Sequence, residues 1–173
     1  HMPKYWWDGN PDEKYWMENT DRSDIGSNLK APQKSDTGKN FWGYTFLKLM
    51  KPGDVVLHYD ANLKSITHFS IVESLYFENK IEWKARGSYA RERGSQKKMV
   101  PSYQVPLMQL TKLDMPISIE AVEAKRVAIQ EGYNGITGSR YPPFDNAVKR
   151  KIGAFQTYIS KFPKFMIEIF DIT

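Results

Sequence analysis

The sequence predicts an α+β fold, a small closed or nearly closed β-barrel of five to six short strands with two to three helices against it. Three observations carry that expectation. Short alternating apolar segments recur from residue 14 to residue 110, separated by clusters of Gly, Pro, Asn, Asp and Ser. The helical patterns lie between and after these segments without the strand–helix–strand alternation that builds a parallel sheet. The chain has 173 residues, 40% hydrophobic and 14% aromatic, which is enough apolar material to bury a core in one domain.

In chain order, His1-Met2 reads as a cloning remnant. Residues 3–13 carry Trp6 and Trp7 but are punctuated by Gly9-Asn10-Pro11, so they read as a docked arm. KYWMENT, 14–20, is the first strand, with Tyr15 and Met17 on one face and Trp16 on the other. The polar stretch 21–40 reads as loop. Trp42, Phe46, Leu47 and Met50 are spaced for a helix over 41–50, which Pro52-Gly53 ends in a type II turn. In VVLHYD, Val55, Leu57 and Tyr59 face one way and Val56, His58 and Asp60 the other. After the turn DANLKS a second long strand is expected over 66–77, then a turn at 78–80 leading into 81–85. SYQVPLMQL, 102–110, is a further strand, with Pro106 at an edge or bulge because it has no N–H to donate. ISIEAVEAKRVAI is the clearest helix, with Ser118 as N-cap, Ile117, Ala121, Ala124 and Ala128 along one side, and Gly132 as its stop. In the tail, QTYISKF reads equally as helix or as a strand before a short helix led by Pro163.

Charge and composition narrow the function classes. No apolar run approaches the roughly 20 residues needed to cross a bilayer, and no charged-then-apolar leader opens the chain. With zero cysteines, disulfides and thiolate metal sites are excluded; a cytoplasmic location without membrane contact is expected. The net charge of +5 favours a polyanionic partner, and its distribution says more. Lys80, Lys84, Arg86, Arg91, Arg93, Lys97 and Lys98 face only Glu82 and Glu92 in that stretch, and Lys149-Arg150-Lys151 forms a second cluster. His58, Asp60 and His68 could meet across a hairpin, but no HExxH or Cys spacing accompanies them, and no P-loop or GxSxG is present. No metal, cofactor or catalytic set is expected: the chain reads as a binding module, not an enzyme.

At this point a family resemblance enters. YWMENTDRSDIGSNLKAP, FWGYTFLKLMKPGDVVLHY, ITHFSIVES and EWKARG resemble the EVE domains, which belong with YTH domains in the PUA-like superfamily. More narrowly they resemble the specificity modules of McrB-like modification-dependent restriction systems. The match runs from about Tyr15 to Pro116, and the tail from Arg140 resembles that subgroup's C-terminal extension. The division expected is an arm over 1–13, a PUA-like, EVE-type barrel over 14–132 and an extension packing on it over 133–173.

The resemblance implies a pocket that accepts one flipped, methylated base, walled by residues Asn28 to Pro32 and Trp83 to Tyr89. Where relatives often carry Trp in the first of these loops this chain has Leu29-Lys30, so Trp42 or an N-terminal Trp is the substitute wall. A base that leaves the stack loses a few kcal/mol, which aromatic faces restore at roughly 1–3 kcal/mol per base. Trp83 supplies the best face. Asn28 offers donor and acceptor, Asp21 accepts from an exocyclic amine, and backbone around Ala31-Pro32 reads the rest of the base edge. Lys30, Lys84, Arg86, Arg91, Arg93, Lys97 and Lys98 would grip phosphates and make binding fall with salt. The partners implied are double-stranded DNA with a modified base and a GTP-driven AAA+ motor or a nuclease, as domain or subunit. The alternative is a PUA-like or YTH-like reader of modified RNA.

Overall fold

The computed structural model describes residues 5–83, 98–136, 140–145 and 151–172. A five-stranded sheet forms the centre. It is built from β1 (Tyr15–Thr20), β3 (Val55–Asp60), β4 (Ser65–Val72), β7 (Leu107–Ser118) and β10 (Ile159–Lys161), in the order β10-β1-β3-β4-β7. A three-stranded sheet, β2-β6-β5, combines β2 (Leu29–Pro32), β5 (Phe77–Trp83) and β6 (Lys98–Val105), and a two-residue pair, β8 (Phe144–Asp145) with β9 (Gly153–Ala154), completes the ladders.

The α+β expectation holds, but the described residues form no closed barrel. Closure fails at two places for physical reasons. After Val72 the chain leaves the large sheet through a turn at 73–76, so β4 and β5 do not pair. At Pro106, which cannot donate to a ladder, the chain bends out of β6 and into β7, and the Pro106 carbonyl accepts from the Glu73 N–H at 2.9 Å. Two sheets thus face one another across a shared core.

Alternation along β1 and β3 fills both faces of the large sheet. Trp16 and Val56 point inward with Leu29, Ala31, Val105, Phe46, Leu47 and Met50. Met17, Leu57 and Tyr59 point the other way, onto a helical layer contributed by Val122, Ile129, Tyr133 and Met166. Each such side chain contributes about 1.5–3 kcal/mol by burial, and polar groups buried in the same sheet, such as Glu18, His58 and Ser70, are hydrogen-bonded to one another. β1 and β3 run parallel, Tyr15 opposite Val55 through Thr20 opposite Asp60. The crossover between them is β2 and the short helix α1 (Trp42–Thr45), continued by a 3₁₀ turn over Phe46–Leu49.

Several boundaries differ from the sequence reading. The helix expected over 41–50 is one α turn plus a 3₁₀ turn, and Gly43 within the α turn lies so close to Thr157 and Phe41 that a Cβ there would clash. The Pro52-Gly53 turn is as expected, with Gly53 at φ +91° and the Asp54 N–H donating to the Lys51 carbonyl at 3.0 Å. The second long strand stops at Val72, and residues 78–80 lie inside β5, not in a turn, because they pair with 101–103 of β6.

Ser118 caps as expected, accepting from the Ala121 N–H at 3.1 Å. The helix then breaks at Lys125 into α2 (Ile119–Ala124) and α3 (Arg126–Asn134), and Gly132 does not stop it. That glycine lets the Phe165 ring of α4 (Lys164–Ile169) pack against the helix backbone. The buried line is Val122, Ile129 and Tyr133, while Ala124 and Ala128 are exposed. In the tail, Ile159–Lys161 is a strand, antiparallel to β1 with Glu18 opposite Ile159, and α4 follows Pro163 directly. The N-terminal arm is pinned by its aromatics: Trp7 stacks on Tyr5 at 4.8 Å and meets Trp16 edge-on.

Candidate nucleic-acid interface

A row of half-buried rings crosses one face of the molecule. Trp83, the last residue of β5, meets Tyr44 of α1 edge-on at 5.9 Å and 82°. Tyr44 contacts Phe41 at 5.1 Å, Phe41 contacts Trp42 at 5.5 Å, and Trp42 contacts Phe155 at 5.9 Å. Trp83, Tyr44, Phe41 and Trp42 are partly exposed and Phe155 is 37% exposed, so these rings retain surface for a further aromatic face. The tight approach of Gly43 to Thr157 locks α1 against the 155–158 segment and sets this row.

Beneath the row lies a charged network on the inward face of the large sheet. Glu18, fully buried in β1, accepts from Tyr158 Oη at 2.6 Å, shares a 2.7 Å hydrogen bond with His58 Nδ1, and lies 2.9 Å from Arg22 Nε in an ion pair whose angle falls outside a hydrogen bond. Arg22 also donates through Nη2 to Glu18 Oε1 and to the Ser27 carbonyl, and through Nη1 to the Asn28 carbonyl at 3.0 Å. His58 Nε2 is 2.7 Å from Ser70 Oγ. Burial pushes the Glu18 carboxyl up, but the His58 hydrogen bond, the Arg22 charge and the Tyr158 hydroxyl outweigh it and hold it below its ordinary value. Burial first, and Glu18 second, push the Tyr158 hydroxyl well above 10, so it remains a donor.

The order carboxylate–imidazole–hydroxyl resembles a hydrolase relay, yet Ser70 is 0% and His58 1% exposed. No substrate reaches that hydroxyl; the three groups tie β1, β3 and β4 together. His68 lies opposite His58 in the ladder and bonds Thr67 Oγ1, and among the described residues no group of three His, Cys, Asp or Glu is placed to hold a metal ion.

Trp83 and Trp42 come together on the aromatic face. Leu29 and Ala31 are 0% exposed and Pro32 is buried, so these three side chains belong to the core between the sheets. Asn28 is half-buried with its carbonyl on Arg22, Asp21 is exposed beside the same loop, and Lys30 is exposed with its N–H donated to Tyr158 Oη at 3.3 Å. Lys98 is exposed opposite Trp83 across the β5–β6 ladder. Lys84, Arg86, Tyr89, Arg91, Arg93 and Lys97 lie outside the described residues, as do Lys149 and Arg150.

Sequence reasoning missed Tyr44, Phe41, Phe155, Tyr158 and Glu18. Glu18 had a readable signal, a charge at an inward position of an apolar strand, matched by His58 at the same inward phase of β3. Phe155 and Tyr158 had none, because their partners lie some 110 to 140 positions away: Trp42 for the former, Glu18 and Lys30 for the latter.

Two cavities lie at opposite ends of the parallel β1–β3 pair. One of about 180 Å³ is bounded by Thr20, Arg22, His58 and Asp60; the other, of about 700 Å³, by Trp7, Trp16, Asp54 and Lys161. Neither is lined by Trp83.

No family model and no curated protein matches the sequence. Among solved structures, the N-terminal domain of McrB from Staphylothermus marinus is similar at 14% identity and a TM-score of 0.49, covering 93% of this chain and 95% of that one. A protein from Agrobacterium tumefaciens is similar at 12% identity and a TM-score of 0.40, over 90% of this chain and 89% of that one. One from Rhodopseudomonas palustris is similar at 12% identity and 0.41, over 82% and 84%. At such identities none of these likenesses carries a binding activity over to this chain.

Proposed function

We propose that this chain is a base-reading module: it binds duplex DNA carrying a modified base, takes that base flipped out of the stack against the aromatic face, and brings a separate motor or nuclease to the site. The observation that carries the reading is Trp83, partly exposed at the end of β5 and continuous through Tyr44 with Phe41 and Trp42. The next residues in the sequence are the most basic of the chain. An indole face beside cations is the combination that restores stacking to a flipped base and holds its strand by phosphate contact. The resemblance to EVE domains points to the same chemistry. Glu18 and Arg22 hold the loop that carries Asn28, but Leu29 pairs with Val105 whereas Trp83 pairs with Lys98, seven residues along β6, so Asn28 lies roughly 20 Å or more from Trp83 and is not the group that reads a base stacked there. The reaction chemistry belongs to a partner domain or subunit.

The test is a panel of otherwise identical duplexes, each with one modified base (5-methylcytosine, a larger cytosine adduct or N6-methyladenine), bound at matched salt. At least one modified duplex is expected to bind more tightly than the unmodified control and to remain uncut. Equal or tighter binding to unmodified DNA across the panel overturns the reading. An RNA arm of the same length belongs in the panel, since dependence on 2′-hydroxyls would transfer the reading to RNA.

A further inference from the structure

The aromatic row is longer than one flipped base can use. Phe155 is four ring contacts away from Trp83, and Phe41, Trp42 and Phe155 extend the row past any base stacked on Trp83. Successive centroids lie 5.1 to 5.9 Å apart and successive planes are inclined by 45° to 83°, so no neighbouring pair is stacked face to face. Each ring keeps open surface, Phe155 the most at 37% exposure. That geometry selects its occupant. In a duplex the base faces are hidden in a stack with a rise of about 3.4 Å, whereas an unpaired strand can spread its bases and lay one on each ring. Every base has a π face, so such stacking is indifferent to sequence and to modification.

Cations flank the row at both ends and in the middle. Lys98 is exposed across the β5–β6 ladder from Trp83. Lys34 and Lys39 are exposed in the loop that leads into Phe41, where Asp36 is the acidic residue and Lys34 Nζ donates to Asn40 Oδ1 at 2.7 Å. Lys30 is exposed, with its backbone N–H on the hydroxyl of Tyr158, three residues past Phe155. Glu82 precedes Trp83 but projects from the opposite face of β5 by strand alternation. We infer that this row binds single-stranded DNA, modified or not, by stacking consecutive bases from Trp83 toward Phe155 while the flanking lysines meet the phosphates. The preference for an unpaired strand rests on the row alone; the choice of DNA rests on the function proposed above.

The probe is end-labelled, unmodified oligothymidylate of about 4, 8 and 12 nucleotides, titrated with the intact chain by fluorescence anisotropy beside an unmodified duplex of each length at the same salt. Attraction to phosphates alone favours the duplex, which carries more charge per unit length, so tighter binding of the single strand isolates stacking. The single strand is expected to bind at least about tenfold more tightly than the duplex, with affinity rising with length until the row is covered. Phe155→Leu, which keeps an apolar side chain at an exposed position, is expected to weaken single-strand binding about fivefold or more, and Phe155→Tyr to restore it. A duplex bound as tightly as the single strand overturns the inference, as does undiminished binding to Phe155→Leu. Oligouridylate bound more tightly than oligothymidylate overturns the assignment to DNA. The wild-type comparison decides the matter even where a variant fails to fold. These strands carry no modified base, so this result and the modified-duplex panel fail independently of one another.

Discussion

Replacing Glu18 by Gln tests the account of the buried network most directly. The change keeps side-chain volume and removes one charge at a position with no solvent exposure. Three groups lose their match: Arg22, only 17% exposed, loses its paired carboxylate; His58 loses an anionic neighbour at 2.7 Å; and Tyr158, a committed donor, competes for the single amide oxygen. Breaking one side of a buried pair costs about 3–5 kcal/mol, most of it the uncompensated charge left behind. For a domain of this size each kcal/mol lowers Tm by about 2–4 °C, so a fall of roughly 6–20 °C is expected. Urea denaturation with Glu18→Gln, Arg22→Met and the double variant checks the cause: the double variant is expected to lose less than the sum of the single losses, because it buries no unmatched charge. A loss below about 1 kcal/mol in Glu18→Gln, or strict additivity, would refute the argument that this carboxylate anchors β1, β3 and the 21–28 loop. The sign with pH follows from the lowered carboxyl. Its stabilisation is present above the unfolded value near about 4.3 and is lost as pH falls through the lower folded value, a slope absent in Glu18→Gln.

Trp83→Ala is expected to abolish preference for modified over unmodified duplex while sparing weak general binding, at a cost of about 1–3 kcal/mol in the preferred complex; uniform weakening of every duplex in a competition assay would make Trp83 a scaffold residue. Gly43→Ala places a methyl group against Thr157 and Phe41 and is expected to cost about 1–3 kcal/mol in thermal unfolding while disturbing the aromatic row. An unchanged Tm would show that α1 is not locked to the 155–158 segment. For Lys161 the linkage has the same sign as for Glu18, in a window at higher pH. With a folded value near about 7 and an unfolded one near ~10.4, the unfolded chain binds more protons between them, so stability should rise with pH across that window. Lys161→Met should lack that rise when the two are compared by denaturant unfolding from pH 7 to 10.

The sequence alone was sufficient for whatever depends on near neighbours. The two-residue alternation of β1 and β3 places Trp16 and Val56 on one face and Met17 and Leu57 on the other, the Pro52-Gly53 turn follows from one glycine's freedom at φ +91°, and the Ser118 cap needs only a hydroxyl three residues before a free N–H. The partial exposure of Trp83 was also legible, because Glu82 and Lys84 beside it in sequence are too charged for a core. What depends on long-range contact was not. Gly132 reads as a stop until Phe165, 33 positions on, is seen to need the space. Leu29 and Ala31 read as pocket wall until β2 is found paired to β6, with both sealed between two sheets. Whether a strand edge closes into a barrel or turns away at a proline is decided by which surfaces bury more area together, a sum over the whole chain that no local window contains.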